Sequence, residues 1–185
     1  FRKPNISDGL RLVMLWLLAF LCLVGLATPT ASQDACSSQL VDLVIILDTS
    51  SSVERIFQTQ REIAQRIVRT IPSGDYRNRV SVAVVRFHGA AVVEIPFASP
   101  QKKRQVVEAV SKIRLTGGNT ASAHGVRLGL RQLRSQRSGT KAVVVIISDG
   151  YSYHPWRDVV QAGQLLKESG ADVYAITVSN YYFYP

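Results

Sequence analysis

Two segments constrain the fold more than any other feature: Val41-Asp-Leu-Val-Ile-Ile-Leu47 and Lys141-Ala-Val-Val-Val-Ile-Ile147. Both are β-branched and nearly without polar alternation, as in strands buried on both faces at the centre of a parallel sheet. Helical spacing follows the first from Val53 to Thr70, with Ile56, Ile63, Ile67 and Val68 on one side. Arg79–Phe87 reads as a second strand, and His88–Ala90 turns into Ala91–Ile95, which predicts a hairpin to an antiparallel edge strand. Pro100 opens a helix to about Ile113, and Thr120 can cap another to about Leu133. Trp156–Glu168 is helical, Gly170 ends it, and Asp172–Val178 is the last strand. This alternation predicts an α/β fold: a Rossmann-like, doubly wound, mostly parallel sheet with one antiparallel edge strand and helices on both faces.

The 185 residues suffice for one ordinary domain, but the beginning of the chain reads differently. Leu12–Ala27 is apolar and uncharged, follows Arg2, Lys3 and Arg11, and leads into the small residues of Ala27–Ser32. It is shorter than the roughly 20 residues a membrane span needs, and the pattern is that of a secretory signal peptide. Met14 is the only methionine. The expected organisation is therefore a leader or fragment artefact over 1–13, a signal peptide over 14–32, a short segment over 33–40 and the globular domain over 41–185. A secreted protein with no stable membrane span in its mature form follows. The chain carries 22 Lys+Arg against 13 Asp+Glu, a net charge of +9. That balance admits acidic partners without naming one. Export and the lack of any recognition motif disfavour nucleic acid. Two cysteines exclude a disulfide-knotted mini-protein, and no spacing suggests a zinc site.

In open α/β sheets the ligand crevice lies beyond the carboxyl ends of the strands, where the strand order reverses. Three polar clusters fall there: Asp48-Thr-Ser-Ser-Ser52, Gly117-Gly-Asn-Thr120 and Ser148-Asp-Gly150. Each alone is a serviceable turn or helix cap. Together they supply carboxylates and hydroxyls without cysteine or an obvious histidine. An all-oxygen set suits a hard divalent cation, Mg²⁺ ahead of Mn²⁺. Two carboxylates leave such an ion undersaturated, with room for an acidic group from a partner.

These residues closely resemble the von Willebrand factor type A domain and its metal-ion-dependent adhesion site. Asp48, Ser50 and Ser52 match the family's Asp-x-Ser-x-Ser, Thr120 its loop threonine, and Asp149 its second aspartate, over a resemblance running from about Val41 to Asn180. The resemblance implies that Ser50, Ser52 and Thr120 place hydroxyl oxygens on the metal. Asp48 and Asp149 would act largely through bound water, and a Glu or Asp of the ligand would complete the shell. It also implies a further edge strand and closing helix beyond Tyr181–Pro185, and a partner for Cys36 after that helix. The closest tone is that of extracellular matrix and adhesion members.

Around this crevice His124, Tyr151, Tyr153 and His154 are candidate ligand-binding rim residues, with Trp156 close by. Arg127, Arg131, Arg134 and Arg137 form a candidate basic stripe for glycosaminoglycan, and Lys102-Lys-Arg104 adds a second cluster. No GxSxG elbow or nucleotide loop occurs, so no catalytic residue is assigned. The expected function is a non-enzymatic, metal-dependent module binding an acidic group of an extracellular matrix or cell-surface protein. The alternatives are a structural matrix A domain that does not use its metal site, and a metal-dependent hydrolase in the same crevice.

Overall fold

The computed structural model describes residues 39–98 and 100–178. The expected leader, signal peptide and Cys36, and the chain end from Ser179 onward, lie outside the described residues. Five strands form one sheet in the order β3-β2-β1-β4-β5, where β1 is Val41–Asp48, β2 Val80–Phe87, β3 Ala91–Ile95, β4 Lys141–Ser148 and β5 Asp172–Thr177. All neighbours pair in parallel except β2 with β3, which is antiparallel as the hairpin predicted. The chain builds outward from β1 to β3, then restarts on the other side of β1 with β4. Strand order therefore reverses between β1 and β4, at the edge where Asp48 and Ser148 end their strands.

Alternate residues of β1 serve two separate cores. Leu43, Ile45 and Leu47 face helices α1 (Phe57–Thr70) and α3 (Lys103–Lys112) through Phe57, Val68, Val106 and Val110. Val44 and Ile46 face α4 (Ser122–Leu133) and α5 (Trp156–Glu168) through Leu133 and Leu166. The central strand is thus apolar throughout because both its faces are covered. The helix α4 lies unusually close to the sheet. A Cβ added at Gly125 would meet Phe87 Cδ1 at 2.6 Å, and one at Gly129 would meet Ile46 Cδ1 at 2.6 Å. Glycine at these two positions sets how near α4, and the loop leading into it, comes to the end of β1.

Three local expectations are revised. Helical structure does not run unbroken from Val53; a short 3-10 turn, Ser51–Val53, comes first and α1 begins at Phe57. The segment after Pro72 holds a further short helix, α2 (Asp75–Asn78). The Pro100 helix starts only at Lys103, because Gln101 is occupied elsewhere. Its side-chain amide accepts from Val82 N and donates to Val82 O, both at 2.8 Å, standing in for a strand neighbour where β3 has ended. Among the described residues no helix is long and apolar enough to cross a membrane.

A polar side chain of α1 sits in the core without a partner. Gln60 of α1 is fully buried, and neither Oε1 nor Nε2 finds a hydrogen-bond partner. A buried polar group without a partner costs free energy that an apolar side chain of similar shape does not. Gln60→Leu is therefore expected to stabilise the domain by about 1–2 kcal/mol, read as a higher denaturant midpoint at unchanged slope. A lower midpoint would show that the amide is satisfied in solution.

Candidate metal centre

β1 delivers Asp48 to the carboxyl edge of the sheet with its side chain fully buried. Its Oδ1 accepts from Ser50 N at 2.9 Å and from Ser50 Oγ at 2.7 Å, while Oδ2 accepts from Ser148 Oγ at 2.8 Å. Burial pushes the Asp48 carboxyl above its usual range. The bonds from Ser50 and Ser148 oppose that shift, and the nearby charge of Asp149 adds to it. These bonds also explain the late start of α1: the backbone after β1 first folds back onto the carboxylate.

Ser50, Ser52 and Thr120 meet in a triangle of hydroxyl oxygens. Ser50 Oγ lies 3.1 Å from Ser52 Oγ, Ser52 Oγ lies 3.1 Å from Thr120 Oγ1, and Thr120 Oγ1 donates to Ser50 Oγ at 2.9 Å. Three hydroxyls carry three protons, and that of Ser50 goes to Asp48. Two protons remain for three edges, so one O···O contact has no proton between its lone pairs. A cation in contact with all three oxygens would remove that repulsion. The spacing fits one, since neighbouring oxygens around an octahedral Mg²⁺ at about 2.1 Å sit about 3 Å apart.

Thr120 was expected to cap α4. The helix instead starts after Ala121 with no side-chain cap, and the Thr120 hydroxyl belongs to the triangle. Two loops are fastened together to hold it there. Thr49 O accepts from Thr116 N and Gly117 N, both at 2.9 Å. Ser51 N donates to Gly118 O at 3.0 Å, and Gly118 N returns a bond to Ser51 Oγ at 2.8 Å. Gly117 and Gly118 have φ of 77° and 81°, a left-handed pair that side chains would disfavour. Behind them Arg86 Nη1 donates to Thr116 Oγ1, which donates to Thr49 Oγ1.

Asp149 sits beside this cluster but is differently engaged, its Oδ1 accepting from Tyr151 N at 3.0 Å. The loop after it returns to the site, with Tyr153 N donating to Thr120 O at 2.8 Å and Ser122 Oγ to Ser152 Oγ at 2.6 Å. Tyr151 and Tyr153 are 60% and 66% exposed, and Trp156 at the start of α5 is 79% exposed. His124 packs edge-on against His154 with centroids 4.5 Å apart. Burial, and then the charge of His124, lower the His154 pKa against a smaller opposing pull from Asp158. Among the described residues no group of three or more His, Cys, Asp or Glu is set to hold a metal, so the donor set here is hydroxyl-rich.

The four arginines of the expected basic stripe do not all lie on one helix. Arg127 and Arg131 are on α4, but Arg127 Nη2 donates to Gln161 Oε1 of α5 and Arg134 lies at the helix end. Arg137 lies beyond the helix and is a structural clamp. It gives two guanidinium bonds to Asp42 Oδ1, at 2.9 and 2.6 Å, and its own backbone N–H bonds Asp42 Oδ2 at 2.7 Å. Its Nη2 also reaches Val41 O and Arg79 O. Periodicity over 127–137 suggested one helical face, whereas the helix stops at Leu133.

With this geometry in place the comparisons with known proteins are direct. The von Willebrand factor type A domain family matches residues 42–183, and the chain belongs to that family. Matrilin-3 of Gallus gallus is 26% identical over 162 residues, covering 83% of this chain and 35% of the matrilin. The collagen alpha-1(XXI) chain of Homo sapiens is 30% identical over 174 residues, covering 88% of this chain and 18% of the collagen. The chain thus spans about a third or less of these relatives. Among solved structures, manganese-loaded Plasmodium vivax TRAP protein matches with a TM-score of 0.66 at 18% identity, over 77% of this chain and 58% of that one. Proximal thread matrix protein 1 from the mussel byssus also matches with a TM-score of 0.66 at 18% identity, over 77% and 38%. At these identities the likeness is one of fold.

Sequence reasoning missed Ser148 as a functional residue, reading it only as part of a turn. It is the hydroxyl that ties β4 to the Asp48 carboxylate across the reversal point. Ser148→Ala removes a buried bond to a charged group and is expected to cost about 2 kcal/mol of stability. Chemical denaturation checks this; a loss under about 0.5 kcal/mol, the ordinary scatter of surface substitutions, would mean the carboxylate does not depend on β4.

Proposed function

We propose that this domain is a secreted, non-enzymatic adhesion module that takes an acidic side chain of an extracellular matrix or cell-surface protein with the help of a divalent cation. The observation that carries the reading is the hydroxyl triangle with one proton too few, set against a buried carboxylate at the reversal of strand order. Ser50, Ser52 and Thr120 would hold Mg²⁺ or Mn²⁺, with Asp48 and Asp149 supplying the compensating charge. The ion, when bound, supplies a Lewis-acidic position for a partner's carboxylate. Neutral hydroxyl donors leave more positive charge on that position than carboxylate donors would.

The chain's own residues do the rest. Asp48 orients Ser50, the Thr49–Gly117 and Ser51–Gly118 bonds hold Thr120 in place, and Tyr153 N fastens the Thr120 backbone. Tyr151, Tyr153 and Trp156 add exposed apolar area beside the site, of the kind that anchors interfaces. His124 and His154 belong to the same rim. Matrilin and collagen relatives support an extracellular adhesion or matrix module and favour binding over catalysis.

The test uses the metal alone on the full chain. Saturating Mg²⁺ is expected to raise the melting temperature, with a stabilisation of about 2.7 kcal/mol at a hundredfold excess over Kd. EDTA should reverse it, and Thr120→Ala should abolish the response while still folding. A melting temperature indifferent to both Mg²⁺ and Mn²⁺ would overturn the reading and leave a structural A domain.

A further inference from the structure

We propose that the groove between the end of α1 and the start of α3 is a binding site for sulfated polysaccharide. It has a volume of about 600 Å³ and is lined by Arg69 and Ser73 from the α1 side and by Lys103, Arg104 and Glu108 from α3. Lys103 Nζ donates to Arg69 O and to Ile71 O, each at 2.6 Å. Its charge is therefore held in one place, on the carbonyls that end α1. Arg69 and Arg104 are exposed, and among the described residues neither guanidinium makes a hydrogen bond or ion pair. Glu108 is the one acid of the lining, and Lys112 Nζ already pairs with it at 2.7 Å. The charge of Arg104 adds to the pull of Lys112 on Glu108, so three cations from two walls face an open space whose one acid is already compensated, mainly by Lys112.

The chemistry of the lining selects the ligand. A guanidinium presents a planar fork that matches two oxygens of a sulfate. Among the described residues no aromatic ring lines the groove, so they offer nothing on which nucleic-acid bases could stack. Among the described residues Val107 is its only apolar side chain, too little for the buried core of a protein interface. A linear chain bearing permanently ionised sulfates needs neither. The stripe on α4 is the poorer candidate: Arg127 and Arg137 are engaged by Gln161 and Asp42, which leaves Arg131 and Arg134 on a convex helix. The helix α1 leads from the Asp48 edge of the sheet back to the start of β2, so the groove lies at its far end and is independent of the proposed cation site.

Heparin is the probe, titrated into the full chain at physiological salt. Wild type should bind heparin and not chemically desulfated heparin. The Arg69→Ala/Arg104→Ala double variant should bind about tenfold more weakly, and Arg131→Ala/Arg134→Ala should stay within about twofold of wild type. Lys103 is left intact because it caps α1, and matching melting temperatures establish that both variants fold. EDTA should leave heparin binding unchanged, which separates this site from the adhesion reading. The proposal is overturned by a wild type that ignores heparin, by equal binding of polyglutamate or single-stranded DNA, or by a stripe variant that loses as much as the groove variant.

Discussion

The central strand carries a buried carboxylate at each end, and among the described residues only one of them has a cationic partner. Asp42 and Asp48 are both fully buried on β1. Ionised groups removed from water need charge or dense hydrogen bonding in return. Asp42 receives both from Arg137, together with a bond from Thr140. Among the described residues Asp48 receives two hydroxyls and one backbone N–H, with a second acid, Asp149, nearby. The two ends of one strand thus solve the same problem differently. One is closed by the protein itself, and the other is left short of positive charge at the place where the sheet opens.

That asymmetry organises the elements around it. At the Asp42 end, Arg137 joins β1, the segment leading into β2 and the turn after α4, through Val41 O, Asn78 O and Arg79 O. At the Asp48 end the joints are made by small polar side chains and paired backbone groups, which hold positions without supplying charge. Gly125 and Gly129 let α4 sit close to Phe87 and Ile46, so the Thr120 hydroxyl can reach Ser50 from a loop entering a different helix. A single methyl group at Gly125 would press on the Phe87 ring, which pairs in register with Asp48. Site geometry and core packing are therefore not separable here.

Much of this was legible in sequence because the signals are periodic or local. Unalternating apolar strands announced the parallel centre, and the His88–Ala90 turn announced the antiparallel edge. The five candidate oxygen donors stood out as clusters at strand ends, although the meeting of Asp48, Ser50, Ser52 and Thr120 depends on a topology that only the alternation implied. What escaped depends on geometry without period. Gln101 acts as a strand neighbour, Thr120 gives up its cap for the triangle, and Arg137 leaves the helical face that its spacing suggested. Ser148 was hidden for a related reason: inside Ser-Asp-Gly the eye goes to the acid, while the hydroxyl makes the contact across the sheet.

The excess of basic residues takes on a different meaning once those among the described residues are placed. Arg137 is consumed in structure, Arg86 braces Glu94 and the Thr116 loop, and Lys103 closes a helix end. Arg69 and Arg104 stay exposed beside Lys103 where α1 ends and α3 begins, and Arg131 and Arg134 stay exposed at the end of α4. A site short of positive charge and a groove rich in it then occupy opposite edges of one small domain. The helix α1 between them has 14 residues, a length of about 21 Å, well beyond the roughly 8 Å over which charges are felt at physiological salt. On the proposed reading a polyanion held at the groove would leave the Asp48 edge electrostatically untouched, and one domain could engage an acidic protein and a sulfated chain together.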